Sequence, residues 1–342
     1  MSARTPRLVV QSSPFLRQGV TTPALMRDVL IALVPVVGAA FWFFGISALL
    51  VVAAAAAGAL GTEWLLGPRR ADGRRRGGSL SDYSGALTGV ILGLTLPPGL
   101  PLWMAFLGGA VAIGLGKLVW GGLGHNLFNP ALVGRAFLQA AFPIAVTTWA
   151  PPGGPGTLLS SNFALPLMAA PELPDAMTAA TPLNLMKFGG EATALGDLLR
   201  GGVAGSAGET SAVVIVLAGR WLAARRAFDW RIPVAVAGSV AALSAAIHAA
   251  APASYPTPWF MLCSGGLLFG AVFMATDPVT SPLAPRAVWL FGIGIGVLVV
   301  LIRLWGGLPE GVMYAILLMN AATPLLERVA QPRAFGHERG FA

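Results

Sequence analysis

The chain has 342 residues, of which 56% are hydrophobic and 11% charged, and its mean hydropathy is +0.74. Soluble domains usually devote about a quarter of their residues to charge, so this composition excludes an ordinary soluble enzyme and predicts a membrane protein. The formal net charge of +8 reports loop orientation in such a protein, and we expect a lipid bilayer rather than nucleic acid as its partner.

Apolar runs that approach or exceed the length needed to cross a hydrocarbon core of roughly 30 Å recur along the chain. Stretches rich in Gly and Ala, at 50–61 and 107–116, are typical of closely packed membrane helices. The pattern predicts an all-α polytopic membrane protein with about ten transmembrane segments. These lie near residues 28–45, 46–66, 83–96, 102–119, 129–147, 207–224, 232–250, 257–275, 287–304 and 310–326.

The positions of Arg and Lys predict how these segments are oriented. Most basic residues fall in the two termini and in the short loops of one side, whereas the other side receives only Lys187, Arg200 and Arg303. Because cytoplasmic loops carry the excess of positive charge, we expect a bacterial inner-membrane protein with both termini cytoplasmic. The N-terminus also lacks the pattern of a signal peptide. The predicted parts are a cytoplasmic segment (1–27), a first transmembrane repeat (28–147), a periplasmic loop (148–206), a second transmembrane repeat (207–327) and a cytoplasmic tail (328–342).

An internal repeat links the two halves. Residues 84–101 resemble residues 264–282, and each stretch is followed, after a further apolar segment, by Trp-Gly-Gly-Leu, at 120–123 and 305–308. The predicted topology runs the two copies in opposite directions, which indicates two inverted five-helix repeats. Such folds place their functional site near the midplane, where helices break. The expected breaks are 95–101 and 276–282.

The predicted outer loop contains Thr181 followed by Pro182. A residue before proline is biased towards extended backbone, and proline suits the first position of a helix, here over residues 182–189. Thr181 is therefore expected at the N-cap, where a phosphate on its hydroxyl would meet free backbone N–H groups. On the local pattern alone, a threonine that merely caps the helix is the commoner role.

The stretch around Thr181 also resembles a known modification motif. Residues 175–181, DAMTAAT, are similar to the D-x-x-S/T-G-A-T flavinylation motif of the Rnf D subunit and of the B subunit of the sodium-pumping NADH:quinone oxidoreductase. The resemblance implies that a flavin transferase attaches FMN covalently to Thr181 through a phosphoester, with Asp175 and Thr178 as motif residues. Ala179 replaces the usual Gly.

Further similarity to this family, at 120–138, 273–282 and 309–320, extends the resemblance over nearly the whole chain. It implies a urea-channel-like fold and an electron-transport subunit of a translocase that passes electrons between ferredoxin and NAD and moves Na⁺ or H⁺. The implied partners are a flavin-bearing G-type subunit, A- and E-type membrane subunits and a C-type NAD-binding subunit, without which we expect no complete catalysis. The sequence leaves open which ion moves, and whether a second, noncovalent flavin is bound.

Polar residues inside apolar segments are further candidates for cofactor binding. Arg135, six residues after Asn129, requires a partner within the bilayer, either a flavin phosphate or reduced ring or a hydrogen-bond network. Asp277, at the second expected break, suits a cation ligand, a flavin contact or a turn cap, the last being the commonest. Lys117 and Arg303 lie near segment ends and are expected to snorkel towards water. The single cysteine, Cys263, excludes a metal or disulfide framework from this chain alone.

Three alternatives remain at this stage. The first is the B-type subunit of the quinone-reducing relative, against which the short N-terminal region argues. The second is a small-solute permease of the same fold, which gives the motif at 175–181 no role. The third is a structural subunit without a cofactor.

Overall fold

The computed structural model describes residues 21–67, 82–166, 179–209, 211–252 and 254–330, which form helices and loops without a strand. The all-α class is thus confirmed for this part of the chain. The helices are α1 (Thr22–Leu66), α2 (Ser84–Leu94), α3 (Leu102–Ile113), α4 (Pro130–Ala141), α5 (Pro143–Thr147), α6 (Pro182–Asn184), α7 (Leu195–Arg200), α8 (Ala212–Ala224), α9 (Arg231–Ala250), α10 (Pro258–Cys263), α11 (Leu267–Phe269), α12 (Pro285–Trp305) and α13 (Val312–Val329). Turns of π-helix at Gly114–Leu118, Leu185–Gly189 and Gly270–Met274 extend α3, α6 and α11.

Helix α1 is two helices joined at a sharp bend. Its 45 residues would span about 68 Å if straight, more than twice a hydrocarbon core. At Gly45 the backbone leaves the helical region, with φ 69° and ψ −151°, which glycine adopts without steric cost. The bend falls at the expected boundary between segments 28–45 and 46–66.

Four helices, α1, α9, α12 and α13, are long and apolar enough to cross a membrane. Large apolar side chains on them, such as Val34 at 65% and Trp42 at 66% exposure, face outwards, as expected where lipid is the neighbour. The chain is accordingly a multi-pass membrane protein. The count of ten crossings, the inverted repeat and the urea-channel-like arrangement remain predictions.

Glycines bring the membrane helices together at several crossings. A Cβ on Gly58 of α1 would collide with the backbone of Phe106 in α3, and one on Gly109 of α3 would collide with the carbonyl oxygen of Ala55. Close backbone approach through small residues is the usual packing mode in lipid. It was expected from the composition of 50–61 and 107–116, and the structure confirms it.

Helices end at both expected breaks. The chain is non-helical between Leu94, the last residue of α2, and Leu102, and again between Met274 and the start of α12. Asn162, in the connection between α5 and α6, donates to the buried carbonyls of Pro98 and Leu100, at 2.8 and 2.9 Å. Backbone groups at membrane depth require such internal partners.

Two predicted segments are not continuous helices. Segment 129–147 is interrupted at Phe142, because Pro143 has no N–H to continue the ladder. Segment 257–275 is interrupted at residues 264–266, where Gly265 takes a left-handed φ of 62°. This second interruption separates α10 from α11 and lies beside the cavity described next.

Candidate cofactor site around Thr181

Thr181 adopts the conformation expected of a helix N-cap. Its φ of −68° and ψ of 155° are extended, and its hydroxyl oxygen accepts from the backbone N–H of Asn184 at 3.3 Å. Pro182 occupies the first helical position, and the helix ends before Gly190, whose φ of 70° is left-handed. The expected N-cap role is confirmed, and the hydroxyl lies where backbone N–H groups favour an anion.

The residue that departs from the family motif is held without strain. The N–H of Ala179 donates to the carbonyl of Trp149 at 2.9 Å. Among described non-glycine residues, only Tyr83 and Arg226 have a positive φ, so the position of Ala179 does not require glycine. Asp175 and Thr178 lie outside the described residues.

Thr181 lines a cavity of about 170 Å³. Three charged side chains, Arg135, Glu209 and Glu310, and two aromatic ones, Trp149 and Tyr314, share its wall. Pockets that enclose drug-sized ligands usually exceed about 300 Å³. The cavity is therefore smaller than a pocket that encloses a whole ligand of that size.

Arg135 is buried and paired within this wall. Its guanidinium donates to the carbonyl of Thr95 at 2.7 Å and to Oε1 of Glu209 at 3.2 Å. The expected hydrogen-bond network of Arg135 is therefore present. Arg135 also lines the cavity of Thr181, where its other expected role, contact with a flavin, remains a prediction. The sequence analysis did not single out Glu209. Its position just before the apolar run 212–224 marks it as a carboxylate at the end of a membrane segment, which could have made it a candidate.

A second ion pair adjoins the cavity. Arg303, 3% exposed, donates to Oε1 of Glu310 at 3.3 Å and to the carbonyls of Met261 and Ser264 at 2.6 and 2.9 Å. The expectation that Arg303 snorkels is wrong, because the break at 264–266 leaves carbonyls that need a donor inside the protein.

Lys117 repeats this arrangement in the other half of the molecule. It is 3% exposed, and its ammonium donates to Glu63 at 2.5 Å and to the hydroxyl of Ser84 at 2.6 Å. The snorkelling expectation is wrong here too, since a buried carboxylate and hydroxyl bind the charge. Ser84 and Ser264 open the two copies of the sequence repeat, so each copy has a buried cation beside its first residue.

Asn129 and Asp277 line a different cavity, of about 60 Å³. The Asn129 side chain caps α4 by accepting from the N–H groups of Ala131 and Leu132, and it donates to the carbonyl of Met274 at 3.0 Å. Asp277 accepts from the hydroxyl of Thr280 at 3.0 Å, as a turn cap does. Of the additional candidates, only Arg135 shares the cavity of Thr181.

Lys187 fastens the segment that follows Thr181. Its ammonium donates to the carbonyls of Ile302, Gly306 and Leu308 at 3.2, 2.6 and 2.9 Å. These carbonyls lie at the C-terminal end of α12, where a cation is favoured. Desolvation lowers the pKa of the Lys187 ammonium.

Replacing Lys187 by methionine is expected to lower the free energy of unfolding by about 1–2 kcal/mol, because the end of α12 loses its cation. Thermal unfolding in detergent measures the change. Arg220→Met is the control, because Arg220 is an exposed cation of α8 that lies outside its last turn. Equal melting temperatures for the two variants would contradict the assigned role.

The chain is similar to known proteins over nearly its whole length. The sequence profile described as "NQR2, RnfD, RnfE family" matches residues 9–336. The D subunit of the ion-translocating oxidoreductase complex of Stutzerimonas stutzeri is 41% identical over 334 residues, 91% of each chain. The D subunit of the proton-translocating ferredoxin:NAD⁺ oxidoreductase complex of Clostridium ljungdahlii is 37% identical over 340 residues, 96% of each chain. The Na⁺-translocating counterpart of Acetobacterium woodii is 37% identical over 333 residues, 96% of this chain and 95% of the relative.

Proposed function

Since the chain belongs to the NQR2, RnfD, RnfE family, we propose that it is the D-type membrane subunit of an ion-translocating ferredoxin:NAD⁺ oxidoreductase complex. We propose further that it carries FMN covalently on Thr181. The relatives are named as subunits of such complexes, which supports the first part. Their names give both H⁺ and Na⁺, so the likeness does not select the ion.

The observation that carries the flavin proposal is the position of Thr181. Its hydroxyl lies on the wall of a cavity, at the N-terminus of a helix whose N–H of Asn184 points at it. A phosphoester there would meet the positive end of that helix. Ala180 is exposed and Thr181 partly exposed, which leaves the hydroxyl within reach of a flavin transferase.

The residues around the cavity suit a flavin. Arg135 supplies a buried positive charge, and Trp149 and Tyr314 supply aromatic faces for a planar ring. FMN, when bound, supplies the electron-transfer chemistry, while the protein supplies orientation and electrostatics. We propose that the cavity faces the periplasm, with both termini cytoplasmic, and that electrons reach it from the G-type subunit of the complex.

Other subunits complete the reaction in this proposal. In this proposal the chain tethers one electron carrier, and we assign the sites for NAD and ferredoxin to the C-type subunit and to the remaining A- and E-type membrane subunits. The names of the relatives, all of them subunits, support this division. The isolated chain is expected to show no ferredoxin:NAD⁺ activity.

Replacing Thr181 by alanine is expected to abolish covalent flavin, because alanine offers no oxygen for a phosphoester. The full chain is co-expressed with a flavin transferase and separated by denaturing electrophoresis, and flavin fluorescence is read in the gel. The wild-type band near 35.1 kDa should fluoresce, and the Thr181→Ala band should be dark.

Thr147→Ala is the matched control, because Thr147 lines the same cavity and its hydroxyl donates to the carbonyl of Pro143 at 2.8 Å. That variant should stay fluorescent. A dark wild-type band, with the transferase shown to be active on another substrate, would refute the tethered flavin and favour a permease. A fluorescent Thr181→Ala band would place the attachment elsewhere.

A further inference from the structure

Four charged side chains, of which Glu310 is the most exposed, form a row beside Thr181. Arg135 donates to Glu209 at 3.2 Å, and Arg303 donates to Glu310 at 3.3 Å. Their side-chain exposures are 10%, 8%, 1% and 24% for Arg135, Glu209, Arg303 and Glu310. Both carboxylates line the cavity of Thr181. Glu310 interacts electrostatically with Glu209, and both carboxylates interact electrostatically with Arg303. The row is therefore one cluster.

The two carboxylates flank a single glycine turn. A Cβ on Gly265 would lie 2.8 Å from Oε2 of Glu310, and a Cβ on Gly266 would collide with Oε1 of Glu209. The N–H of Gly266 donates to Oε1 of Glu310 at 2.8 Å. Two carboxylates that lie against successive residues of one turn repel each other, and carboxylates that share one site commonly hold one proton between them.

The turn also packs against the segment that bears Thr181. A Cβ on Gly265 would lie 2.6 Å from Cδ1 of Leu183, two residues after Thr181. The carboxylate pair and the attachment site are thus joined by one turn and one side chain.

Unpaired polar atoms surround the pair. The hydroxyl of Ser264 and Nε of Arg303 are buried and have no hydrogen-bond partner among the described residues. The Nε–H of Arg303 only donates, so these atoms suit a hydrogen-bond acceptor such as water, which can also deliver a proton to the pair. A metal cation is disfavoured, because two guanidinium groups repel it and already donate to both carboxylates. A proton, by contrast, adds to a free carboxylate oxygen without displacing either arginine.

We propose that Glu209 and Glu310 share one exchangeable proton beside Thr181. The proton comes from water, and its uptake turns one carboxylate into a carboxylic acid and changes the charge of the row from zero to +1. This role rests on the proposed function: one electron passed by the complex to a flavin on Thr181 would add one negative charge there, and the proton would offset it. The remaining titratable or charged groups that face the pair are Arg135, Arg303, Cys263 and Tyr314.

Infrared spectroscopy of the full chain tests the shared proton directly. The carbonyl stretch of a protonated carboxyl group is followed against pH, in flavin-bearing wild type and in flavin-free Thr181→Ala chain. A shared proton belongs to the pair and not to one residue. Glu209→Gln and Glu310→Gln are therefore each expected to lose the whole band, because the remaining carboxylate keeps two arginines to itself and stays ionised.

Glu191→Gln is the matched control, since Glu191 is an exposed carboxylate of the same outer segment, and its band should match that of wild type. A band lost in only one of the two cavity variants would show that a single carboxyl group holds the proton, which contradicts a shared proton. A band kept in both variants would show that the proton is not held by Glu209 or Glu310. If a variant fails to fold, wild type labelled with carbon-13 glutamate replaces it, and the label should shift the carboxyl band. A band that does not shift, or the absence of any band, also overturns the proposal.

The coupling to Thr181 has its own measurement. In flavin-bearing wild type the flavin midpoint potential should fall more steeply with rising pH than in Glu209→Gln or Glu310→Gln, because the protons that the flavin ring itself takes up contribute in all three proteins. An unchanged pH dependence in both variants would overturn the coupling. Failure of the flavin proposal is detected separately, as a wild-type band without flavin fluorescence in the gel. The infrared measurement on the flavin-free Thr181→Ala chain does not depend on that outcome.

Discussion

Replacing Lys117 by methionine is expected to lower the free energy of unfolding by about 3–5 kcal/mol, the usual cost of removing one partner of a buried ion pair. The Lys117 ammonium donates to Glu63 at 2.5 Å, with side-chain exposures of 3% and 0%. Methionine matches the length of the aliphatic stem but takes away the positive charge. Unfolding followed by circular dichroism in detergent, with a chemical denaturant, measures the difference.

Two further variants separate charge from packing in this pair. The double variant Lys117→Met/Glu63→Met is expected to recover most of the loss, because replacing both charges by apolar groups of similar volume is often neutral. Arg225→Met removes the pair with Asp28, in which Arg225 is 55% exposed, and should cost no more than about 1 kcal/mol. A double variant as unstable as the single one would show that the ion pair is not the cause.

Replacing Gly58 by alanine is expected to cost about 1–3 kcal/mol or more through overpacking. A Cβ at this position would collide with the carbonyl oxygen of Phe106 and lie 2.8 Å from its carbonyl carbon. These are backbone atoms, so no rotamer change relieves the contact, and α1 and α3 must move apart. The same unfolding measurement reports the loss.

Gly61→Ala is the matched control in the same helix. A Cβ on Gly61 would meet no atom within 4 Å, and alanine is favoured over glycine within a helix by about 1 kcal/mol. This variant should therefore be as stable as wild type or more stable. If Gly58→Ala matched it, the close approach of α1 to α3 would not contribute to stability.

Local signals in the sequence predicted the conformation of Thr181 correctly. The preference of a residue before proline and the placement of Pro182 at the first helical position act within a few residues, and the structure shows both. Nothing local indicated that Arg135 would meet Glu209, because 74 residues separate them. The same holds for Lys117 and Glu63, which are 54 residues apart.

The errors over Lys117 and Arg303 have a common origin. Position near a segment end predicts snorkelling when lipid surrounds the side chain. Both side chains instead lie inside the protein, where Ser84 and the break at 264–266 present oxygen atoms to them. Which side of a helix faces lipid depends on its neighbours, and a single apolar sequence does not reveal them.

The sequence by itself determined the all-α membrane class, the helix ends near Thr95 and Thr276 and the N-cap at Thr181, because apolar run length, proline and glycine act on nearby backbone. Only the tertiary structure decided which polar side chains share a cavity. It placed Arg135, Glu209 and Glu310 around Thr181 and moved Asn129 and Asp277 to another cavity. Buried charges must find partners wherever the packed helices bring them, and those contacts join residues far apart in the chain.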